Sequence, residues 1–259
     1  MKHPFLHSVL IASSWLALSS VPHAETGTPE YDPLGEFNTL PKQIRVQVEF
    51  IDVSHEQLTE LMFGPKGSAN DGELRKQVAQ LVKDGKATIV ETMLAIAKPG
   101  QKATAESIEE VIYPTEYEPA TLPEQAQPKT KEEAGNAKGT PQDLAIGPIP
   151  SAWETRNCGS TLEIEPSIGE DNKTIDLRFV PEIVYHVGNT VWAEWKDSHG
   201  SSPVQMPTFY TVRINTSVSI GVGQYLMVAA LSPKNKAGVT DFTRKLMVFV
   251  KADIITVGR

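Results

Sequence analysis

The sequence predicts an α+β fold, a small strand–helix–helix–strand module followed by a mostly antiparallel β-sheet domain. Three observations carry this. Residues from Gly159 to Leu231 alternate apolar and polar at period two across short Gly-containing turns, the pattern of half-buried antiparallel strands. Residues 54–85 instead show helical spacing with caps at both ends. Between the two parts, residues 118–150 are rich in Pro, Lys and Glu and cannot bury enough apolar surface to offset chain entropy.

Residues 1–24 read as a signal peptide. Lys2 supplies the positive start, Ser8 to Val21 the apolar core, and Ala24 a small residue before the cut. The apolar core is too short for a spanning helix. Removing it takes away Lys2 and no acid, moving the formal charge from −8 to −9 (24 − 32, then 23 − 32). That acidity argues against nucleic acid and against an anionic membrane surface as partners. Cys158 is the single cysteine, so no disulfide forms within the chain. An exported chain without disulfides suits a bacterial periplasm or outer membrane. Past residue 24 no apolar run is long enough for a membrane helix, so any insertion would use strands.

Residues 25–42 form a polar arm with Pro29, Pro33 and Pro41. Ile44, Val46, Val48 and Phe50 then alternate with Arg45, Gln47 and Glu49 as a strand. Ser54 with Gln57 makes a capping box for a short helix bearing Leu58, Leu61 and Met62. Gly64-Pro65 ends that helix. Asp71 is expected to cap a second helix, with Leu74, Val78, Leu81 and Val82 on one face and Gly85 at its end. Ala87 to Ala97 reads as a strand, with a helical continuation as the lesser alternative, and Lys102 to Ile112 as its partner, ending at Tyr113-Pro114. The first module therefore covers 43–117.

Residues 118–150 fit either a domain linker or an insertion within a β-rich unit. The β-rich domain covers 151–259. It opens on a hairpin whose arms hold Leu162, Ile164, Ile168 and Ile175, Leu177, Phe179, joined by the turn Gly169–Lys173. Tyr210, Val212, Ile214, Thr216, Val218 and Ile220 then share one face of a strand. Gly221 and Gly223 turn the chain into Tyr225–Leu231, an apolar run expected to be more deeply buried. Arg244 to Val257 closes the chain. Its apolar residues on both faces indicate a central strand or a contact with another subunit.

Catalytic and metal-binding patterns are weak. Glu163, Glu165 and Asp176 lie on polar strand faces, which fits a solvated surface better than acid–base work. His55, His186 and His199 show no ligand spacing with one another or with Cys158. Ser160, His186 and Asp197 supply triad residue types, but no nucleophile-elbow sequence surrounds the serine. Cys158 beside Gly159 fits a small residue at a strand edge. The expectation is a non-enzyme without cofactor or metal. Trp192 and Trp195 are candidate interface aromatics, either for a lipid boundary or for packing on the chain itself.

Several segments, in order, resemble the homology region of the secretin family. These are QIRVQVEFIDVSHEQLTEL, PGQKATAESIEEVIYPTEYEP, GSTLEIEPSIGEDNKTIDLRFVPEIV, MPTFYTVRINTSVSIGVGQYLMVAAL and RKLMVFVKADII. The resemblance covers Gln43 to Ile255. The chain differs from the family at Val222-Gly223 and Ala229-Ala230, where an acidic-Gly pair and Gly-Gly are usual. SPKNKAGVTDFT stands in place of the family's Gly-Asp-x-Pro-x-x-Gly segment. Secretins are ring-forming outer-membrane channels of type II and type III secretion and of type IV pili. The resemblance implies a shortened secretin-like protein, a homo-oligomer of the outer membrane or periplasm of a Gram-negative-type bacterium. Its implied partners are other secretion or pilus envelope proteins and outer-membrane lipid, with no nucleic acid. Tyr210, Val212, Ile214, Val218 and Ile220 are then the candidate membrane- or subunit-facing strand. The alternative is a soluble periplasmic binding or scaffold module that keeps the fold without a pore.

Overall fold

In the computed structural model, residues 40–63, 70–121, 146–197, 200–235 and 238–256 are described. The residues read as a signal peptide, those read as an arm up to Thr39, Gly64-Pro65, most of the Pro-rich stretch and His199 lie outside them. Leu40–Arg259 forms one unit. β1 (Lys42–Ser54) leads into α1 (His55–Met62), α2 (Gly72–Lys83), β2 (Thr88–Ala97) and β3 (Ala103–Glu118). β4 (Ile149–Ile168), β5 (Thr174–Asp197), β6 (Gly200–Arg213), β7 (Thr216–Gly221), β8 (Tyr225–Leu231) and β9 (Arg244–Thr256) follow.

Two antiparallel sheets result, ordered β2-β1-β9-β8 and β3-β4-β5-β6, with β7 paired to the lower part of β5. The period-two pattern decides what lies between them. Ile44, Val46, Val48 and Phe50 of β1 and Leu246, Val248, Val250 and Ala252 of β9 face Leu162, Ile164, Ile175, Leu177 and Phe179 of the second sheet. On the opposite face of the first sheet Ile51, Val53, Met247 and Phe249 are buried where both helices cover it, while Leu94 and Ile96 of β2 on that face stay exposed. The layers are therefore helices, sheet, sheet. β9 is apolar on both faces because it lies between β1 and β8 with a layer on either side.

The helix ends follow local chemistry. Ser54 Oγ accepts from Gln57 N at 3.1 Å and Gln57 Oε1 accepts from Ser54 N at 3.2 Å, completing the expected capping box. Gly85 closes α2 at φ +70°, a conformation that favours glycine. Asp71 does not cap α2 by its side chain. Its carboxylate instead accepts from Met227 N at 2.8 Å, beside a register shift in β8, while Asn70 Oδ1 accepts from Gly72 N. β8 is an edge strand whose alternate backbone groups face outward, and Asp71 takes two of them, the Met227 N–H with its carboxylate and the Tyr225 carbonyl with its own N–H at 2.7 Å.

Several expectations are corrected. The segments read as a first module and a later domain share both sheets, because β9 from the C-terminal part pairs with β1 along its full length. β2 and β3 do not pair with each other: β2 pairs with β1 and β3 with β4. β3 does not end at Tyr113-Pro114 but runs to Glu118, with a register shift after Pro114. A proline is tolerated there because β3 is an edge strand. Residues 118–150 join β3 to its own antiparallel partner β4, so they form an insertion in a hairpin rather than a link between domains. The first strand begins at Lys42, the last residue assigned to the arm. β8 is a half-buried edge strand, not a deeply buried one.

Candidate assembly surface

β4 and β5 pair from Ile168↔Ile175 up to Gly159↔Val184 and then part. Beyond that point β3 stays with β4, and β6 stays with β5, as two hairpins that leave the sandwich. Gly159 marks the fork at φ +125°. A Cβ there would collide with the Ser107 carbonyl oxygen of β3, so glycine lets β3 hold its register where β4 turns away. Cys158, next to it, is buried, but in the middle of β4 opposite Glu109 rather than at a strand edge.

The hairpins meet each other across the gap. Tyr113 of β3 and Phe209 of β6 have ring centroids 5.6 Å apart, and His186 of β5 lies 5.6 Å from Phe209. The Tyr117 hydroxyl donates across the gap to the Gln205 carbonyl at 3.3 Å, while the Tyr113 hydroxyl donates to Glu154, its register partner within the β3–β4 hairpin, at 3.2 Å. Outward from these contacts lie exposed apolar residues, among them Ile112, Ile149 and Trp153 on one hairpin and Val187, Val191 and Trp192 on the other. The β5–β6 register skips at His186/Gly188 and at Val191/Ala193. Val187 and Trp192 are thus the extra residues of two bulges, which push side chains out of the ladder. Trp192 is 74% exposed.

The sequence-predicted residues divide. Tyr210 and Val212 lie on β6, Val218 and Ile220 on β7, and Ile214 falls in the break between them. A single spanning strand from Phe209 to Ile220 is therefore not formed. β6 and β7 pair with different stretches of β5, and the chain steps from one to the other at Ile214-Asn215. Val212 and Ile220 are buried in the sandwich, and Tyr210, Ile214 and Val218 pack against it. The alternating face is apolar because the chain's own first sheet covers it. The two tryptophans also separate: Trp192 points out, whereas Trp195 is half-buried beside Gly147.

No catalytic grouping appears among these residues. The Ser160 hydroxyl donates to Glu91 at 3.0 Å and the His186 ring bonds Asn189 at 3.0 Å, so the two do not meet. Glu163 pairs with Lys102 at 2.8 Å, Glu165 with Arg178 at 3.9 Å, and Asp176 accepts from Ser219. Each carboxylate has its own partner. Among the described residues no cluster of three or more His, Cys, Asp or Glu could hold a metal ion, and no helix is long and apolar enough to cross a membrane. One buried polar contact was missed by the alternation: Glu49, placed on a polar face, is 5% exposed under α2. It accepts two bonds from the Arg75 guanidinium, at 2.6 and 3.1 Å. Hydrogen bonding to that carboxylate raises the Arg75 pKa further above its ordinary value. Helical spacing placed Arg75 on α2, but nothing local linked it to Glu49.

No family model and no curated protein matches the chain. Among solved structures it is similar to the ETEC secretin GspD in its complex with the pilotin AspS. Identity is 13% over 84% of this chain and 50% of that one, with a TM-score of 0.42. It is also similar to the V. cholerae type IV competence pilus secretin PilQ, with 10% identity over 85% and 63% of the two chains and a TM-score of 0.42. The InvG secretin domain of the Salmonella SPI-1 injectisome matches at 7% identity, 85% and 64% coverage and a TM-score of 0.39. The chain spans about half the length of the ETEC GspD chain. A likeness of this depth concerns the course of the chain and not what it carries or binds.

Proposed function

We propose that this chain is a secretin-like envelope protein and a subunit of an outer-membrane secretion or pilus channel assembly, built as a ring by strand addition. The observation that carries the reading is the pair of hairpins above the fork. Their outer strands, β3 and β6, each leave one edge without a strand among the described residues, and an open edge is a template for pairing with another copy. The freed stretches Ile149–Cys158 and Tyr185–Asp197 match or exceed the roughly 9–11 residues of a tilted membrane strand. Exposed Trp153 and Trp192 suit the aromatic boundary of such a barrel. The signal-like start supports export, and other envelope proteins and outer-membrane lipid are the expected partners.

The second reading, a soluble periplasmic module, rests on one fact: the apolar residues from Tyr210 to Ile220 are covered by the chain's own sheet. A charge at Val212 would therefore test folding rather than insertion. Trp153→Glu with Trp192→Glu is the better variant, since both side chains are exposed. The channel reading expects the double variant to be exported and folded, by circular dichroism, yet lost from the outer-membrane fraction. Undiminished membrane association would favour attachment by another route and count against the channel.

A further inference from the structure

The free edge of β6 changes character along its length. Gln205 turns its carbonyl away from β5, where it accepts from Tyr117. Backbone groups alternate in direction along an antiparallel strand, so the odd-numbered residues of β6 present theirs to the open edge. Pro203 and Pro207 share that parity. Proline within a sheet sits where its missing N–H faces outward, as it does here. Between Ser201 and Pro207, two of the four outward positions lack a donor, whereas Phe209, Thr211 and Arg213 all keep theirs. Tyr113 meets Phe209, which places Pro114 of β3 at about the height of Pro207. Both open edges are thus interrupted above the same level. From the height of Tyr113 and His186 upward, Pro203 and Pro207 line a cavity of ≈ 440 Å³ together with Tyr117, Trp153 and Pro114.

We propose that the β6 edge is divided: Thr208–Arg213 takes a strand of a second copy by backbone pairing, and Gly200–Pro207 takes none, seating aromatic side chains instead. This rests on the ring reading above and says where along the hairpin the ring is sewn. Two proline variants test it. Thr211→Pro removes an outward donor from the intact stretch, and Gln205→Pro removes one from the stretch already interrupted. Neither donor serves the β5–β6 ladder, so both monomers should keep the wild-type circular dichroism and melting temperature.

Thr211→Pro is expected to lower the ring fraction by about tenfold or more through loss of a ladder bond, with Gln205→Pro close to wild type. Hydrogen exchange on the wild-type ring gives a check that needs no variant. The amides of Phe209, Thr211 and Arg213 should gain protection on assembly and that of Gln205 should not. A ring that tolerates Thr211→Pro, fails with Gln205→Pro, or protects Gln205 equally overturns the division alone. A wild-type chain that stays monomeric overturns the ring reading and the division with it.

Discussion

The buried pair between Glu49 and Arg75 gives the sharpest test of how the helical layer is held. Arg75→Met would leave the buried Glu49 carboxylate with only the Gln47 amide at 3.0 Å as a donor. Breaking a buried pair from one side costs about 3–5 kcal/mol. Arg75 is itself 14% exposed, and water reaching that end sets the expectation near the lower bound, about 3 kcal/mol. Loss of its position 5.8 Å over the Tyr225 ring adds about 0.5–1 kcal/mol. Replacing both residues, as Glu49→Met with Arg75→Met, removes the charge together with its partner and should recover most of the loss. The assay is urea unfolding of the wild type, both single variants and the double variant, with midpoints compared at constant m. A coupling of about 2 kcal/mol or more is expected. Single-variant losses that simply add in the double variant would refute the claim that the pair, rather than the apolar contacts around it, fixes α2 to the sheet.

Two further outcomes follow from local geometry. Gly159→Ala should destabilise the fold by about 1–3 kcal/mol from backbone strain alone, and by more if β3 cannot yield at Ser107. A urea midpoint within error of wild type would show that the fork does not need glycine. The carboxylates of Asp171 and Asp241 are held below the usual range, the first chiefly by the Lys173 backbone N–H, the second chiefly by the Thr243 hydroxyl. A depressed folded pKa stabilises above the unfolded value of about 3.9 and ceases to do so as pH falls through the folded value. The melting temperature should therefore hold from about pH 7 to pH 5 and fall below about pH 4. A rise on acidification would contradict the assignment.

What the sequence discloses here is local. The capping box at Ser54, the Gly85 helix end and the turn at Gly169–Lys173 each depend on a few adjacent residues, and each forms as read. In that turn the Asp171 carboxylate accepts from Lys173 N and Thr174 N at 2.9 Å. The two-sided apolar pattern of β9 marked its central place for the same reason. Strand partners are another matter. Alternation tells which face of β2 or β3 is buried, but not which strand lies beside it. The insertion of β9 between β1 and β8 joins residues some two hundred positions apart. Bulges are invisible to period two, since one extra residue reverses the faces beyond it. Val187 therefore had no signal of its own, and Trp192 was singled out for its aromatic character alone. Val212 and Ile220 mislead for a related reason. An alternating apolar face reads alike whether it meets lipid or another sheet of the same chain, and here the first sheet covers it.

Ring formation is tested most directly by the native mass of the chain, extracted from envelopes in mild detergent and analysed unheated. The account predicts a large oligomer in the outer-membrane fraction that survives detergent and separates to a single chain on boiling. A monomer recovered from the soluble periplasmic fraction would contradict it and leave a folded module whose open β3 and β6 edges serve another purpose.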